Sequence, residues 1–240
     1  TRTAASSRGL LGRLRASPFL SQLLSNRLAV AGLSIILAMV LIAVYARLFV
    51  AGPFGAEFST ITSSQLGTAP NKAPPGWLGG EAATKSLFGT DAAARDIFER
   101  TLYGAWLAMK YGTITVGLST AIGVGLGIIA AYYGDVTDNV IMRTMDVFLA
   151  FPSLLLALAL VAIFGAGLWK AVIALTLVYT PRFARVVRGA ALKVLEDEYI
   201  DATVALGATD PRVLVRHVLP NCLAPITVQS TLNFGLAIID

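Results

Sequence analysis

Residues 111–133, YGTITVGLSTAIGVGLGIIAAYY, run for 23 positions without a charged side chain. About 20 apolar residues cross the hydrocarbon core of a bilayer, so this stretch is long enough to span one. No water is available there to pair with free backbone groups, which makes the stretch a helix. It carries five glycines, Gly112, Gly117, Gly123, Gly125 and Gly127, more than helix propensity would place in one helix. Small residues let helices approach closely in lipid, which predicts a span inside a bundle. Lining of a passage is the other reading of the same glycines.

Working outward, Leu28–Ala46 and Val147–Trp169 are two more uncharged runs of spanning length. A fourth span is expected from Ala171 through Tyr179 and Pro181 into a basic end, and a fifth from Val218 to Ile239, with Pro220 and Pro225 near its start. The whole chain agrees: 56% of its 240 residues are hydrophobic, 14% are charged, and the mean hydropathy is +0.72. That balance excludes an ordinary soluble domain with a solvated surface. The formal charge of +5 comes from basic residues at the ends of apolar runs. Such a pattern signals membrane topology, not nucleic-acid binding. The one cysteine, Cys222, allows no intrachain disulfide or multi-cysteine metal site and is expected in the core.

Arg2, Arg8, Arg13, Arg15 and Arg27 precede the first run, which is 19 residues long and ends in Arg47 without a small-residue cleavage pattern. This is a retained span and not a secretory signal. Six basic residues, Arg182, Arg185, Arg188, Lys193, Arg212 and Arg216, lie between the fourth and fifth spans. The positive-inside rule therefore puts both regions in the cytoplasm. Alternation then places 47–110 outside, 134–146 inside, and the Gly165–Lys170 turn outside. The 134–146 loop fits this poorly, because Asp135, Asp138 and Asp146 outnumber Arg143. The domain layout that follows is a basic cytoplasmic segment 1–27, a first span 28–50, an extracytoplasmic loop 51–110, and a core 111–240 that includes a cytoplasmic loop 190–217.

The outer loop holds Pro53, Pro70, Pro74 and Pro75 and is expected to be irregular until Asp91. From there Asp91 is expected to cap a helix with Ile97, Phe98, Leu102, Ala105 and Trp106 at helical spacing. Such a helix lies on the outer membrane surface or packs in the core.

The cytoplasmic stretch 196–220 reads EDEYIDATVALGATDPRVLVRHVLP. Two short helices are expected in it. Glu196, Asp197, Glu198 and Asp201 oppose the positive end of the first, and Gly207 ends it in a left-handed turn. Asp210 and Pro211 start the second. Ala202, Ala205 and Leu206 form a small apolar patch at spacing i, i+3 and i+4, suited to a groove on a soluble partner.

This stretch resembles the "EAA" loop of ABC importer permeases, whose pattern is Glu-Ala-Ala, three residues, Gly, nine residues, Ile-x-Leu-Pro. Asp201, Ala202 and Thr203 take the first three places, Gly207 follows after three, and His217, Leu219 and Pro220 close the pattern after nine. Asp201, Thr203 and His217 depart from the general identities. The His217–Asn221 ending is similar to the peptide and nickel branch, as are Phe88-Gly89-Thr90-Asp91 and Arg95-Asp96, although Ala94 replaces the usual Gly. Tyr132-Tyr133-Gly134 and Asp146 to Pro152 extend the resemblance over most of the chain from Leu28.

The resemblance implies an all-α transmembrane bundle with the type I ABC importer permease fold. Its core has six helices with both termini inside. Five are read here, so one terminal span is expected beyond the sequence given. It further implies a second permease subunit, two ATP-binding subunits and an extracytoplasmic peptide-binding protein, in a bacterial cytoplasmic membrane. Glu198, Tyr199, Asp201, Ala202, Ala205, Leu206, Gly207, Asp210 and Arg212 are the residues it assigns to coupling with the ATPases.

No phosphate-cradling Gly-x-x-x-x-Gly-Lys-Ser/Thr run occurs in the chain, so ATP and Mg are expected on the partner subunits. No cofactor or catalytic residue is expected here. His217 is the only histidine and has no ligand set around it, which points to a structural hydrogen bond. Thr227, Ser230 and Asn233 in the fifth span line a pathway or make hydrogen bonds between helices. The spans hold no carboxylate for a proton relay, which counts against a secondary transporter. Peptides are the expected cargo, with nickel and glutathione as alternatives.

Overall fold

The structure is a computed structural model that describes residues 25–50, 74–78, 87–92 and 95–239. It divides into two compact units, Thr1–Trp106 and Leu107–Asp240. No strand occurs among the described residues beyond an isolated bridge between Thr90 and Asp96.

The first span is helix α1, Arg27–Tyr45, followed by a π turn over Ala46–Val50. Asn26 caps it, accepting from the Leu28 and Ala29 amides at 3.0 and 3.3 Å. Leu28, Ile35, Ile36 and Leu41 are all exposed. A helix apolar on every side belongs in a membrane or a core.

Before the second helix, two residues of the motif, Asp91 and Arg95, are bound to each other. The Asp91 carboxylate accepts from the Arg95 amide and pairs with the Arg95 guanidinium at 2.6 Å. Helix α2 is Ile97–Tyr133, and its cap is Asp96, whose Oδ1 accepts from Phe98 and Glu99. The expectation that Asp91 caps it is corrected, because that carboxylate is engaged by Arg95. The expected separate surface helix also gives way to one continuous helix. The charges Glu99, Arg100 and Lys110 interrupt the apolar composition without interrupting the backbone.

Residues 134–146, expected as a loop, form helix α3, Asp135–Leu149. The misfit of its acidic residues with the topology rule has a local cause. Asp138 pairs with Arg188 and Asp146 with Arg185, both across to helix α5, Leu168–Leu195. The third span is likewise not straight. Helix α4, Ser153–Phe164, meets α3 at 93° around Pro152. A proline disfavours helix at the residue before it and cannot donate an amide. Twelve residues reach only about 18 Å, so α4 alone is short of the hydrocarbon thickness.

Helix α5 is the hub, packing against α3, α4 and the last helix. It also comes close to α2. A Cβ on Gly123 would stand 2.8 Å from the Thr180 carbonyl oxygen, and one on Gly127 2.6 Å from that of Ala184. Both distances are shorter than van der Waals contact, so this four-residue glycine spacing lets the backbones meet beside the buried Pro181. Gly112 faces Phe234 and Ile238, whereas Gly117 and Gly125 have no such neighbour. Close packing thus requires two of the five glycines, Gly123 and Gly127, while a Cβ on Gly112 would make ordinary contact.

Three helices close the chain. These are α6, Glu198–Ala205; α7, Asp210–Asn221; and α8, Leu223–Ile239, bent from α7 by 63°. The fifth span therefore starts its straight course at Leu223, five residues later than expected from Val218. A buried cluster joins all three to the bundle: Ile200 of α6, Val213 and Val218 of α7, Cys222, and Ile226 of α8 meet Ile128 of α2 and Val187 of α5.

Candidate functional site

The segment 196–222 holds the candidate site. Glu198 and Asp201 lie in the first turn of α6, where carboxylates favour the positive helix end. Its end is a Schellman motif: the Gly207 amide donates to the Val204 carbonyl at 2.8 Å and the Ala208 amide to that of Thr203 at 3.3 Å. Gly207 has φ +84°, a conformation open to glycine and costly for a residue with a Cβ.

Helix α7 begins at Asp210-Pro211, where a proline needs no amide partner. Its middle turn, Leu214–Val218, is π-wound, with the Leu219 amide donating to the Leu214 carbonyl. Pro220 explains this widening, since it lacks a donor and its ring crowds the carbonyl four residues back.

Polar side chains tie α7 down at both ends. Tyr132 donates its hydroxyl to Asp210 Oδ1 at 2.9 Å and Tyr133 to Oδ2 at 3.4 Å. At the other end, Asn221 Nδ2 donates to the Tyr199 hydroxyl at 2.9 Å and to the His217 carbonyl at 2.8 Å. The hydrogen bond found at His217 thus uses its backbone, while its ring lies 6.3 Å from that of Tyr199.

The structure separates the sequence-selected residues into two groups. Glu198, Asp201, Ala202, Ala205, Leu206, Gly207 and Arg212 are exposed, and Leu206 is 89% exposed. With Val204, also exposed, the apolar patch at the tip of α6 is larger than the sequence suggested. Tyr199 and Asp210 are exposed as well, yet their polar atoms are engaged within the chain. Sequence reasoning missed Ile200, Asn221 and the Tyr132–Tyr133 pair as parts of this site. Ile200 carried a usable signal, being the one large aliphatic among the charges of 196–201.

The three polar residues of α8 lie in different surroundings. Thr227 is exposed and bonds back to the Ala224 carbonyl. Ser230 Oγ is 3.3 Å from Thr120 Oγ1 of α2, a contact between helices. Asn233 is fully buried and accepts from Gln229 at 3.2 Å. Below the Thr120–Ser230 contact, a cleft of about 500 Å³ opens between α2 and α7–α8. Val124, Ile128, Leu214, Leu219 and Ile226 are among the apolar residues that line it.

Family models match two parts of the chain. Residues 123–240 match the binding-protein-dependent transport system inner membrane component, and residues 17–75 the N-terminal transmembrane domain of oligopeptide transport permease C. Among curated relatives, a dipeptide transport system permease protein of Alkalihalophilus pseudofirmus is 42% identical over 91% of this chain and 67% of its own length. A dipeptide transport system permease protein of Haemophilus influenzae is 37% identical over 90% of this chain and 70% of its own. A putative peptide transport system permease protein of Brucella suis is 46% identical over 64% of this chain and 51% of its own. The chain therefore spans between about half and about two thirds of the length of these relatives. Together with the apolar helical bundle, these matches show that the chain belongs to the binding-protein-dependent transport permeases, the multi-pass inner-membrane components of ABC importers.

Proposed function

We propose that this chain is a pathway-forming subunit of an ATP-driven importer that takes peptides from an extracytoplasmic binding protein into the cytoplasm. Its partners in this reading are a second homologous permease and two ATP-binding subunits, which carry ATP and Mg. Its N-terminus lies in the cytoplasm. The observation that supports the reading most is the tip of α6. Leu206 stands almost fully exposed at the end of a helix whose other side is anchored through the buried Ile200. A large apolar side chain held out on a braced helix is what a groove on a soluble subunit would take. ATP-driven closure of the ATPase pair would then displace α6, and the buried cluster around Ile200 would pass that displacement to α2, α5 and α8.

Peptide cargo rests on the names of the dipeptide and peptide permeases to which the chain is similar. A second cargo has support of its own: a glutathione transport system permease protein of Pectobacterium atrosepticum is 35% identical over 92% of this chain. Uptake of a labelled dipeptide, challenged with glutathione and with nickel ions, separates these cargoes. Competition by unlabelled peptides alone supports the first.

The subunit reading is tested by purifying the full-length chain from its native membranes in mild detergent, beside a Gly207→Asp variant. The native chain is expected to bring a second permease and ATP-binding subunits, and the variant to lose the ATP-binding subunits selectively. Absence of ATP-binding subunits from both samples would point instead to a self-contained transporter.

A further inference from the structure

Asp210 belongs by sequence to the loop that would meet the ATPases, but its carboxylate is taken up from within the chain. Tyr132 and Tyr133 both donate to it, one to each oxygen. Neighbouring side chains on a helix diverge by about 100°, so a single carboxylate reached by both sits astride the end of α2. The two rings hold each other edge to face at 5.2 Å, which fixes the directions of their hydroxyls. Immediately after them, Gly134 and Asp135 turn the chain into α3. That helix is in turn fastened to α5 through Asp138–Arg188 and Asp146–Arg185.

The end of α2 is therefore the place where the loop and the α3–α5 pair are joined. Asp210 opens α7, and α7 and α2 form two walls of the apolar cleft. A shift of Asp210 relative to Tyr132 and Tyr133 changes the separation of those walls. Hydrogen bonds to a carboxylate are about twice as strong as neutral ones. This carboxylate is also open to solvent, so water can replace either phenol when the link opens. Strength with reversible release suits a joint that must transmit a cyclic motion.

We propose that Asp210 is a positioning residue and not an ATPase contact: the Tyr132–Tyr133–Asp210 clasp carries displacement of the loop into α2. The inference rests on the importer reading above and adds the route by which coupling reaches the membrane span.

The test uses the complete transporter in proteoliposomes with its binding protein, labelled alanyl-alanine, and ATP hydrolysis measured in the same sample. A Tyr132→Phe/Tyr133→Phe double variant removes two hydroxyls and leaves both rings. It is expected to retain its ATP-binding subunits and to hydrolyse ATP within about two-fold of the unaltered transporter. Peptide moved per ATP should fall about five-fold or more, in the range of couplings between distant sites. Asp210→Asn keeps one acceptor oxygen and should fall between the two. A purely structural role would lower hydrolysis and transport together and leave their ratio unchanged. That unchanged ratio, or loss of the ATP-binding subunits from Asp210→Asn, would overturn the inference while the importer reading stands. An unaltered transporter that holds no ATP-binding subunit would overturn both.

Discussion

Helices α6 and α7 are neighbours in the chain, joined through Gly207, and both are short. Their contacts are nevertheless opposite in kind. Helix α6 buries one large side chain, Ile200, and leaves Val204 and Leu206 in the open. Helix α7 buries Val213 and Val218 and is tied at one end through Asp210 and at the other through Asn221. One helix is braced from behind with a free apolar tip, and the other is held at both ends. The difference separates two jobs that sequence spacing merges into one motif: gripping a partner, and passing the grip on.

The comparison breaks most severely if α6 loses its brace. Ile200→Ala removes a fully enclosed aliphatic side chain and is expected to cost about 2–4 kcal/mol, read as a lower thermal midpoint of the detergent-purified chain. Leu206→Glu is the counterpart on the free side. It should leave stability within about 0.5 kcal/mol of the original and weaken capture of the ATP-binding subunits at least about ten-fold. A change in stability with unaltered capture would reverse the assignment of the two faces. Asn221→Ala removes the tie at the far end of α7 and should cost about 1 kcal/mol, the net worth of an ordinary hydrogen bond. The smallest effect is expected from Arg212→Ala, an exposed side chain on α7, with stability unchanged to about 0.5 kcal/mol. Its capture of ATP-binding subunits sharpens the comparison by showing whether the outer side of α7 shares in the grip.

Much of this was legible in the sequence because the governing rules are local. Uncharged runs marked α1 and α2 as helices long and apolar enough to cross a membrane, Gly207 marked a left-handed turn, and Asp210-Pro211 marked a helix start. The misses have physical reasons. Nothing in the uncharged run from Val147 to Trp169 but Pro152 announced a right-angled bend, and composition cannot tell a straight helix from a broken one. Charges at Glu99, Arg100 and Lys110 ended the apolar pattern of α2 on its N-terminal side, yet they suit a helix interior well enough for the backbone to continue. Asp138 and Asp146 looked like loop residues because their partners, Arg188 and Arg185, lie 50 and 39 positions away. The Tyr132–Asp210 bond spans 78 positions, which no spacing rule covers. Thr227, Ser230 and Asn233 illustrate a limit of helical spacing itself. Six residues amount to about 600° of turn, so the outer two point well apart and meet different surroundings.

Cross-linking shows whether the tip of α6 enters a groove on an ATP-binding subunit. A Leu206→Cys chain, with the buried Cys222 left in place, would be treated in native membranes with a short thiol-reactive photo-cross-linker, and the products identified by mass spectrometry. Cross-links to an ATP-binding subunit are expected, with a yield that changes when ATP is added. Cross-links only to lipid or to a second permease, in membranes where ATP-binding subunits still co-purify with the chain, would contradict that placement.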